Sequence, residues 1–457
     1  MIGNTVAPSV LPPVIVPAKL LWIVAFLTAA AWAQTPTGIP PPAAGAQTPT
    51  PGPTAAPAGR EVKTYSLPPD KLQKAIDYGN ARNRLHFIGV GYSILVLAGF
   101  LAWRVAPGLR DFAEGSRRRI AQAYIFAPLL FLALDVANLP LSLYDQYLSR
   151  KYEQSIQGWG SWFWDWSKGE FLEFGLVGLL IWIFYGVIRR SPRRWWFYFW
   201  LAAVPIIVFL LFIAPVVIEP MFFQFEPLAE KQPALVVEIQ KVTARGGLEI
   251  PRDRMFEMKA SAKLKSLNAY VAGIGASKRV VVWDTTMEKM TTGQTLFVFG
   301  HEMGHYVLGH VWTGIGMTCL VLLVFLFLGY HSMHWAVGRW GGRWSIRGIE
   351  DWASLPVLLM AVTVFGFLAE PAMSSFSRMQ EHNADIYGLE AIHGIVPNSS
   401  QAAAEAFQIL GEVGLSDPNP SAFVKFWLED HPSIGDRVRF AAEYDPWGKG
   451  QAPKYVK

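Results

Sequence analysis

The chain has 457 residues, of which 52% are hydrophobic and only 16% are charged, and its formal net charge is +5. A typical soluble domain has about 25% charged residues, so this composition argues against an ordinary water-soluble enzyme and indicates a protein surrounded by lipid. The single cysteine, Cys319, excludes an intrachain disulfide and a cysteine-based metal cluster. The arginines occur in short runs beside apolar segments and form no basic stripe interleaved with aromatic residues, so we expect no nucleic-acid partner.

The start of the chain contains a short apolar run, residues 20–33, which follows Lys19 and ends in the sequence Ala-Trp-Ala. A basic flank, an apolar stretch and an A-x-A end are typical of a secretory signal peptide, and the run is short for a membrane span. The alternative for residues 1–33 is an uncleaved first membrane helix. Residues 34–60 are rich in Pro and Ala, and this composition predicts a flexible or polyproline-like linker.

Apolar segments of the length that a bilayer requires follow this linker. Within residues 61–218 we predict four membrane helices, at about 86–106, 124–147, 171–188 and 196–218. Two further membrane helices are predicted within residues 311–372. The stretches 219–310 and 373–457 are more polar, and we expect them to form one water-facing metalloprotease domain. The predicted fold class is therefore mainly α, a multi-pass transmembrane helical bundle with a catalytic domain assembled from two separate parts of the chain.

Three loops rich in arginine predict the orientation of this bundle. They follow the first and the third of the six predicted helices and connect the last two. This alternation places all three loops at one end of the bundle. Because cytoplasmic loops carry an excess of Lys and Arg, we predict that this end faces the cytoplasm and that the metalloprotease domain faces the opposite compartment. A signal peptide predicts the same orientation.

The sequence His301-Glu302-Met303-Gly304-His305 is an H-E-x-x-H motif. On a helix its two histidines project from one face, so both imidazoles can bind the same zinc ion. Glu302 can then take a proton from a zinc-bound water molecule, whose pKa the metal lowers toward about 7. The flanking stretch 294–308 has the apolar pattern of a helix. The motif predicts a catalytic zinc site with Glu302 as the general base.

A catalytic zinc site needs a third protein ligand. On a continuous helix His310 is about half a turn out of phase with the first histidine of the motif, so we expect it to point away from the metal. The remaining candidates are the stretch from Glu381 to Asp385, His393 and His431. Glu381 and Asp385 are four residues apart in a helical pattern, so one of them can bind zinc while the other orients a ligand histidine through its free N–H.

Several motifs, in one order, resemble those of the type I CAAX prenyl proteases, a family of membrane-embedded zinc metalloendopeptidases (gluzincins). After two apolar segments the H-E-x-x-H motif is followed by S-R-x-x-E-x-x-x-D at residues 377–385. The other matching stretches are 140–144, 214–228, 268–273, 279–285 and 431–437. The resemblance covers most of residues 60–445. It implies a membrane bundle that encloses a chamber and a zincin-like α+β catalytic domain.

This resemblance implies a role for individual residues at the metal. It implies one zinc ion per chain, with the protein ligands His301, His305 and Glu381. Glu302 is the base, Asp385 orients a ligand histidine, and His431 stabilises the oxyanion of the tetrahedral intermediate.

The resemblance also implies a substrate-binding region. Asn268, Ala269 and Tyr270 would hold the backbone of a peptide or protein substrate as an added β-strand, and Arg437 would lie near the zinc. The charged insertion that eukaryotic members typically carry before the H-E-x-x-H motif is absent, since only residues 286–300 intervene. With the signal-like start, this predicts a bacterial inner-membrane protein whose active site faces the periplasm. The sequence leaves open whether a prenylated substrate is recognised, because prenylation is a cytosolic eukaryotic modification.

We therefore predict a zinc-dependent membrane endopeptidase that hydrolyses peptide bonds in flexible or C-terminal segments. One alternative is a quality-control protease of misfolded membrane proteins, which shares both metal-binding motifs but has four membrane helices rather than six. The other alternative, of a different class, is a non-catalytic zinc-containing membrane receptor or transporter. Glu302 argues against it, because metal binding alone requires no base. The oligomeric state is not predicted.

Overall fold

The computed structural model describes residues 62–273 and 278–456. The signal peptide or first helix expected at 1–33 and the linker expected at 34–60 lie outside this part. The N-terminal helices are α1 (Pro69–Ala102), α2 (Val105–Ala113), α3 (Arg119–Lys151), α4 (Trp159–Arg190) and α5 (Trp195–Ile213). The described chain is mainly helical, which confirms the predicted fold class.

A small α+β region follows the N-terminal bundle. Its elements are β1 (Phe225–Pro227), α6 (Leu228–Lys231), α7 (Pro233–Arg245), β2 (Met255–Met258), β3 (Ala269–Ala272), β4 (Arg279–Trp283), α8 (Asp284–Lys289) and α9 (Thr292–Val307). The strand order is β1-β2-β4-β3. Strands β2 and β4 are parallel and the other pairs are antiparallel. Strand β3 is therefore at one edge of the sheet.

Two long helices and three shorter ones complete the chain. They are α10 (His310–Trp340), α11 (Leu355–Ile392), α12 (Ser399–Val413), α13 (Ala422–Trp427) and α14 (Ile434–Glu443). Helix α11 is continuous from its apolar half into the region that packs on α9, so a single rigid element connects the membrane bundle to the catalytic domain.

Five helices of the described part, α1, α3, α4, α10 and α11, are long and apolar enough to cross a membrane. The span expected at 196–218 is interrupted: its two halves, Trp195–Leu211 and Ala214–Met221, form an angle of 43°. The second half begins with a turn of π-helix that contains Pro215. A proline has no N–H for the helix and a π-turn changes its phase, and both are known causes of sharp bends.

Helix α1 is longer than its apolar segment. Its polar first turns extend to the C-terminal domain, where Ala75 and Tyr78 form a buried cluster with Leu415. Lys71 also pairs with Glu412 of α12. These contacts stabilise helical turns that membrane hydrophobicity alone would not specify.

The arginine-rich segments meet at the other end of the bundle. The Arg110 Nη1 atom lies 2.6 Å from the Asp351 carboxylate, and both side chains are buried. The Arg104 side chain donates to the Arg343 carbonyl at 3.2 Å. The Arg189 side chain donates a hydrogen bond to the Glu350 carbonyl at 3.2 Å. The three segments therefore lie together at one end of the bundle.

Candidate active site

Helix α9 carries the H-E-x-x-H motif and begins with a capping box. The Thr291 hydroxyl accepts a hydrogen bond from the Gln294 backbone N–H, and the Gln294 side chain accepts one from the Thr291 N–H. These bonds satisfy two of the backbone donors that a helix start leaves without partners. The apolar side of α9, with Leu296, Phe297 and Phe299, is buried in the catalytic domain. The helix is thereby fixed at its start and along its length.

Helices α9 and α11 approach each other closely at two glycines. A Cβ atom built on Gly388 of α11 would lie 2.9 Å from the His301 backbone nitrogen. A Cβ atom on Gly300 of α9 would lie 3.3 Å from the Gly388 Cα atom. The absence of both side chains lets the helix with the H-E-x-x-H motif contact the helix that carries Glu381.

This contact brings three candidate metal ligands together. The His301 and His305 Nε2 atoms are 3.2 Å apart. The Glu381 carboxylate lies 3.2 Å from His301 Nε2 and 3.4 Å from His305 Nε2. All three side chains are buried. His393, another candidate from the sequence, instead stacks on Trp447 with ring centroids 3.4 Å apart.

The dimensions of this cluster fit a tetrahedral zinc ion. Zinc–nitrogen and zinc–oxygen bonds of about 2.1 Å place tetrahedral ligand atoms about 3.4 Å from one another. The two Nε2 atoms are 3.2 Å apart, and each lies 3.2–3.4 Å from one of the two Glu381 carboxylate oxygens, which is close to this value. Two imidazole nitrogens and one carboxylate are also a ligand set that catalytic zinc accepts, with the fourth position left for water or substrate.

A second group contacts the outer nitrogen of each candidate ligand histidine. The Asp385 carboxylate lies 2.8 Å from His301 Nδ1. The His310 Nδ1 atom lies 3.0 Å from His305 Nδ1. Each contact directs the corresponding Nε2 atom toward the cluster, as outer-sphere partners of metal-binding histidines do.

The expectation that His310 points away from the metal was wrong. It assumed that one helix continues through residues 301–310, whereas α9 ends at Val307 and Gly309 has a φ of 71°. This left-handed glycine starts a new helix at His310 and turns its ring back toward His305. A glycine directly before His310 was the only signal of this break in the sequence.

The two histidines of the motif have opposite pKa shifts. Burial lowers the pKa of His305 to about 3, so its ring is neutral, which is the form that binds a metal. Burial also disfavours a charged His301, yet Asp385 and Glu381 raise its pKa to about 10. These carboxylates therefore favour a positive charge at this position.

Glu302 lies next to the metal cluster on α9. Burial raises the pKa of its carboxyl group to about 8. Its Oε2 atom is buried and has no hydrogen-bond partner among the described residues. The raised pKa makes the Glu302 carboxylate a stronger proton acceptor than an exposed glutamate, which suits a general base.

The segment before α14 and α14 itself contribute two further polar side chains, His431 and Arg437. The His431 Nε2 atom lies 3.2 Å from Glu381, and its Nδ1 atom lies 2.7 Å from Asp430. Arg437 forms two hydrogen bonds with the Asp385 carboxylate, of 3.0 Å and 2.6 Å. Its Nη2 atom is 3.8 Å from Glu381. Arg437 thus contacts the group that orients His301, whereas His431 contacts the metal cluster itself.

The expected substrate strand is the edge strand β3, which packs against α9. Asn268 directly precedes it, and the Asn268 side chain accepts a hydrogen bond of 2.7 Å from the Ala269 N–H. The Tyr270 side chain points to the membrane bundle, where its hydroxyl donates to Glu219 at 2.6 Å. The Asn268 carbonyl accepts from the Trp283 N–H, so by antiparallel alternation the backbone of Tyr270 pairs with β4 and that of Ala269 faces outward. Because Asn268 already binds the Ala269 N–H, the Ala269 carbonyl is what this part of the edge could offer to a peptide.

Comparisons with known proteins agree with this geometry. Residues 229–445 match peptidase family M48, and residues 58–224 match the N-terminal domain of CAAX prenyl proteases with five membrane helices. The uncharacterized metalloprotease YhfN of Bacillus subtilis is 35% identical over 376 residues, which are 82% of this chain and 86% of that protein.

More distant relatives include CAAX prenyl protease 1 of Saccharomyces cerevisiae, which is 26% identical over 81% of this chain and 85% of that protein. The crystal structure of S. mikatae Ste24p has the same fold, with a TM-score of 0.71 and 21% identity. The match covers 84% of this chain and 93% of that one. The resemblance found in the motifs is thereby confirmed.

Proposed function

Because this chain belongs to peptidase family M48 and is an integral-membrane metalloendopeptidase, we propose that it uses one zinc ion bound by His301, His305 and Glu381. The observation that carries this proposal is the convergence of three buried ligand atoms, one from each residue, within 4.8 Å of one another. Asp385 and His310 hold the outer nitrogens of the two histidines.

Each of the chain's own residues then has a separate task. Bound zinc supplies Lewis acidity, which makes water nucleophilic near neutral pH and polarises the peptide carbonyl. Glu302 takes the proton of the attacking water and delivers it to the departing amine. His431, beside Glu381, donates to the oxyanion that develops on the former carbonyl oxygen. Arg437 holds Asp385, and through it His301, in place.

The proposed substrate is a flexible or C-terminal segment of a peptide or protein. Edge strand β3, with Asn268, Ala269 and Tyr270, supports this, because an extended peptide can add to it through outward-facing main-chain groups such as the Ala269 carbonyl. Several relatives are named CAAX prenyl proteases. On this basis we propose that the present chain also cleaves its substrates near a C-terminus. Peptides with and without a prenylated cysteine test whether a prenyl group contributes to substrate recognition.

We further propose that the protein lies in a bacterial inner membrane with its active site facing the periplasm. The arginine-rich segments that meet at the opposite end support this orientation, since basic residues concentrate in cytoplasmic loops. The relative in Bacillus subtilis supports a bacterial setting.

The decisive experiment compares the wild type with Glu302→Gln, purified in detergent, on fluorogenic peptides with and without a prenylated cysteine. The variant removes the base and keeps the ligands, so its zinc content serves as the control. We expect cleavage by the wild type, a loss of at least about 10²-fold in the variant, and equal zinc in both. Equal cleavage rates in the two proteins would overturn the role of Glu302 as the base. Stoichiometric binding of a metal other than zinc would overturn the assignment of zinc as the cofactor.

A further inference from the structure

Helix α13 is a six-residue helix of the catalytic domain without a buried side chain. Phe423 and Phe426 are 53% and 55% exposed. Two large aromatic side chains so exposed on a short helix are costly in water, since each leaves a large apolar area hydrated. The surroundings of α13 indicate what covers them.

Helix α13 packs on the seam between two membrane helices. The Phe423 ring lies 5.7 Å from that of Phe87 on α1. The Trp427 ring lies 5.0 Å from that of Phe367 on α11. The Trp427 Nε1–H also donates to Glu370, which contacts His86 of α1 at 3.1 Å. The helix is therefore fixed against the membrane bundle by aromatic contacts and by one partly buried hydrogen bond.

The distance of this seam from the arginine-rich end of the bundle can be measured along both membrane helices. Phe87 lies about 15 residues, or about 22 Å, from the end of α1 at Ala102. The Ser374 hydroxyl contacts the Trp427 carbonyl, and Ser374 lies about 19 residues, or about 28 Å, from the start of α11 at Leu355. Both reference ends belong to the arginine-rich side. Because the hydrocarbon core is about 30 Å thick, α13 lies at its opposite boundary.

The side chains around α13 are divided in the way that such a boundary requires. Ile88 follows Phe87 on α1, and Leu368 follows Phe367 on α11. Ile88 and Leu368 are 60% and 62% exposed, as expected of residues that face lipid. The Lys425 amine instead lies 3.3 Å from Asp436 of α14, on the side of the catalytic domain. The apolar side of α13 thus continues the lipid-facing surface, and its polar side continues the water-facing one.

We propose that α13 is an interfacial membrane anchor: Phe423 and Phe426 insert into the bilayer at the boundary between headgroups and acyl chains. Aromatic side chains concentrate at this depth, and short helices with one apolar side bind there. The partner is the lipid bilayer that already surrounds α1 and α11. The anchor directly precedes the segment that carries His431, so the bilayer supports one wall of the active site.

The test is a depth measurement on the full-length protein in phospholipid nanodiscs. A spin label is placed at Phe426→Cys in a Cys319→Ser background, since Cys319 is the only cysteine. Accessibility to oxygen, which is concentrated in lipid, is compared with accessibility to a water-soluble nickel complex. Leu95→Cys on α1, 71% exposed, is the lipid reference. Lys241→Cys on α7, whose side chain is 54% exposed, is the aqueous reference.

We expect the oxygen-to-nickel accessibility ratio at position 426 to exceed that at position 241 several-fold and to be below that at position 95. A ratio equal to that at position 241 would place Phe426 in water and overturn the proposal. Low accessibility to both reagents would also overturn it, because another protein surface would then cover the helix. Zinc content and elution volume equal to those of the wild type show that each labelled protein is folded.

Discussion

The His310 Nδ1 atom lies 3.0 Å from the His305 Nδ1 atom, in a contact that crosses the break between α9 and α10. One of the two nitrogens must donate and the other accept. With the proton on His305 Nδ1, the Nε2 lone pair of His305 is directed at the metal cluster. Asp385 has the same relationship to His301, so each ligand histidine has its own orienting partner.

We predict that His310→Ala weakens zinc binding by about 10- to 100-fold, because loss of an outer-sphere partner frees the ring of His305. The measurement is competition with a zinc chelator, which reads metal affinity independently of activity. His334→Ala is the matched control, since this exposed histidine of α10 contacts the carbonyl and the ring of Tyr330 and lies far from the H-E-x-x-H motif along the helix. Unchanged zinc affinity in His310→Ala would show that the contact is incidental.

Asp385→Asn is expected to weaken zinc binding to a similar degree and also to destabilise the fold. Asp385 is buried and neutralises the buried Arg437 guanidinium, so the variant leaves a positive charge without its partner. Breaking a buried ion pair costs about 3–5 kcal/mol. Thermal unfolding in detergent measures this loss. Asp436→Asn, which removes a half-exposed pair with Lys425, should change the unfolding temperature little.

Gly388→Ala tests the close approach of α9 and α11. The new methyl group would lie 2.9 Å from the His301 backbone nitrogen, so one helix must move. We expect a loss of about 1–3 kcal/mol in stability, with weaker zinc binding, because the moved helices carry different ligands. Gly366→Ala on the same helix is the control, since its Cβ would meet no atom within 4 Å. If both variants behave alike, packing at Gly388 does not position the site.

Thr291→Ala should lower the free energy of unfolding by about 1 kcal/mol by removing the cap of α9. The exposed neighbour Thr292 lies inside the first turn and makes no capping bond, so Thr292→Ala should be nearly neutral. Thermal unfolding of the two variants gives the comparison. A loss of equal size in both would mean that helix propensity, and not the capping box, accounts for the effect.

The sequence by itself determined the features that depend on local spacing and composition. The four-residue spacing of His301 and His305 places both side chains on one side of a helix. The same spacing places Glu381 and Asp385 together on one side of a second helix. Apolar runs near 20 residues long indicated the membrane helices, because the thickness of the bilayer fixes their length. The fold class, the family and the metalloendopeptidase activity could therefore be predicted.

Tertiary structure decided what depends on contacts between distant parts of the chain. The left-handed Gly309 turns His310 toward His305, and a periodicity argument that assumes one helix cannot detect such a turn. The pairing of Arg437 with Asp385 joins residues that are far apart in the sequence. The position of α13 on two membrane helices is likewise invisible in its own six residues. Spacing specifies the direction of a side chain only within one regular element, and packing between elements decides which group it meets.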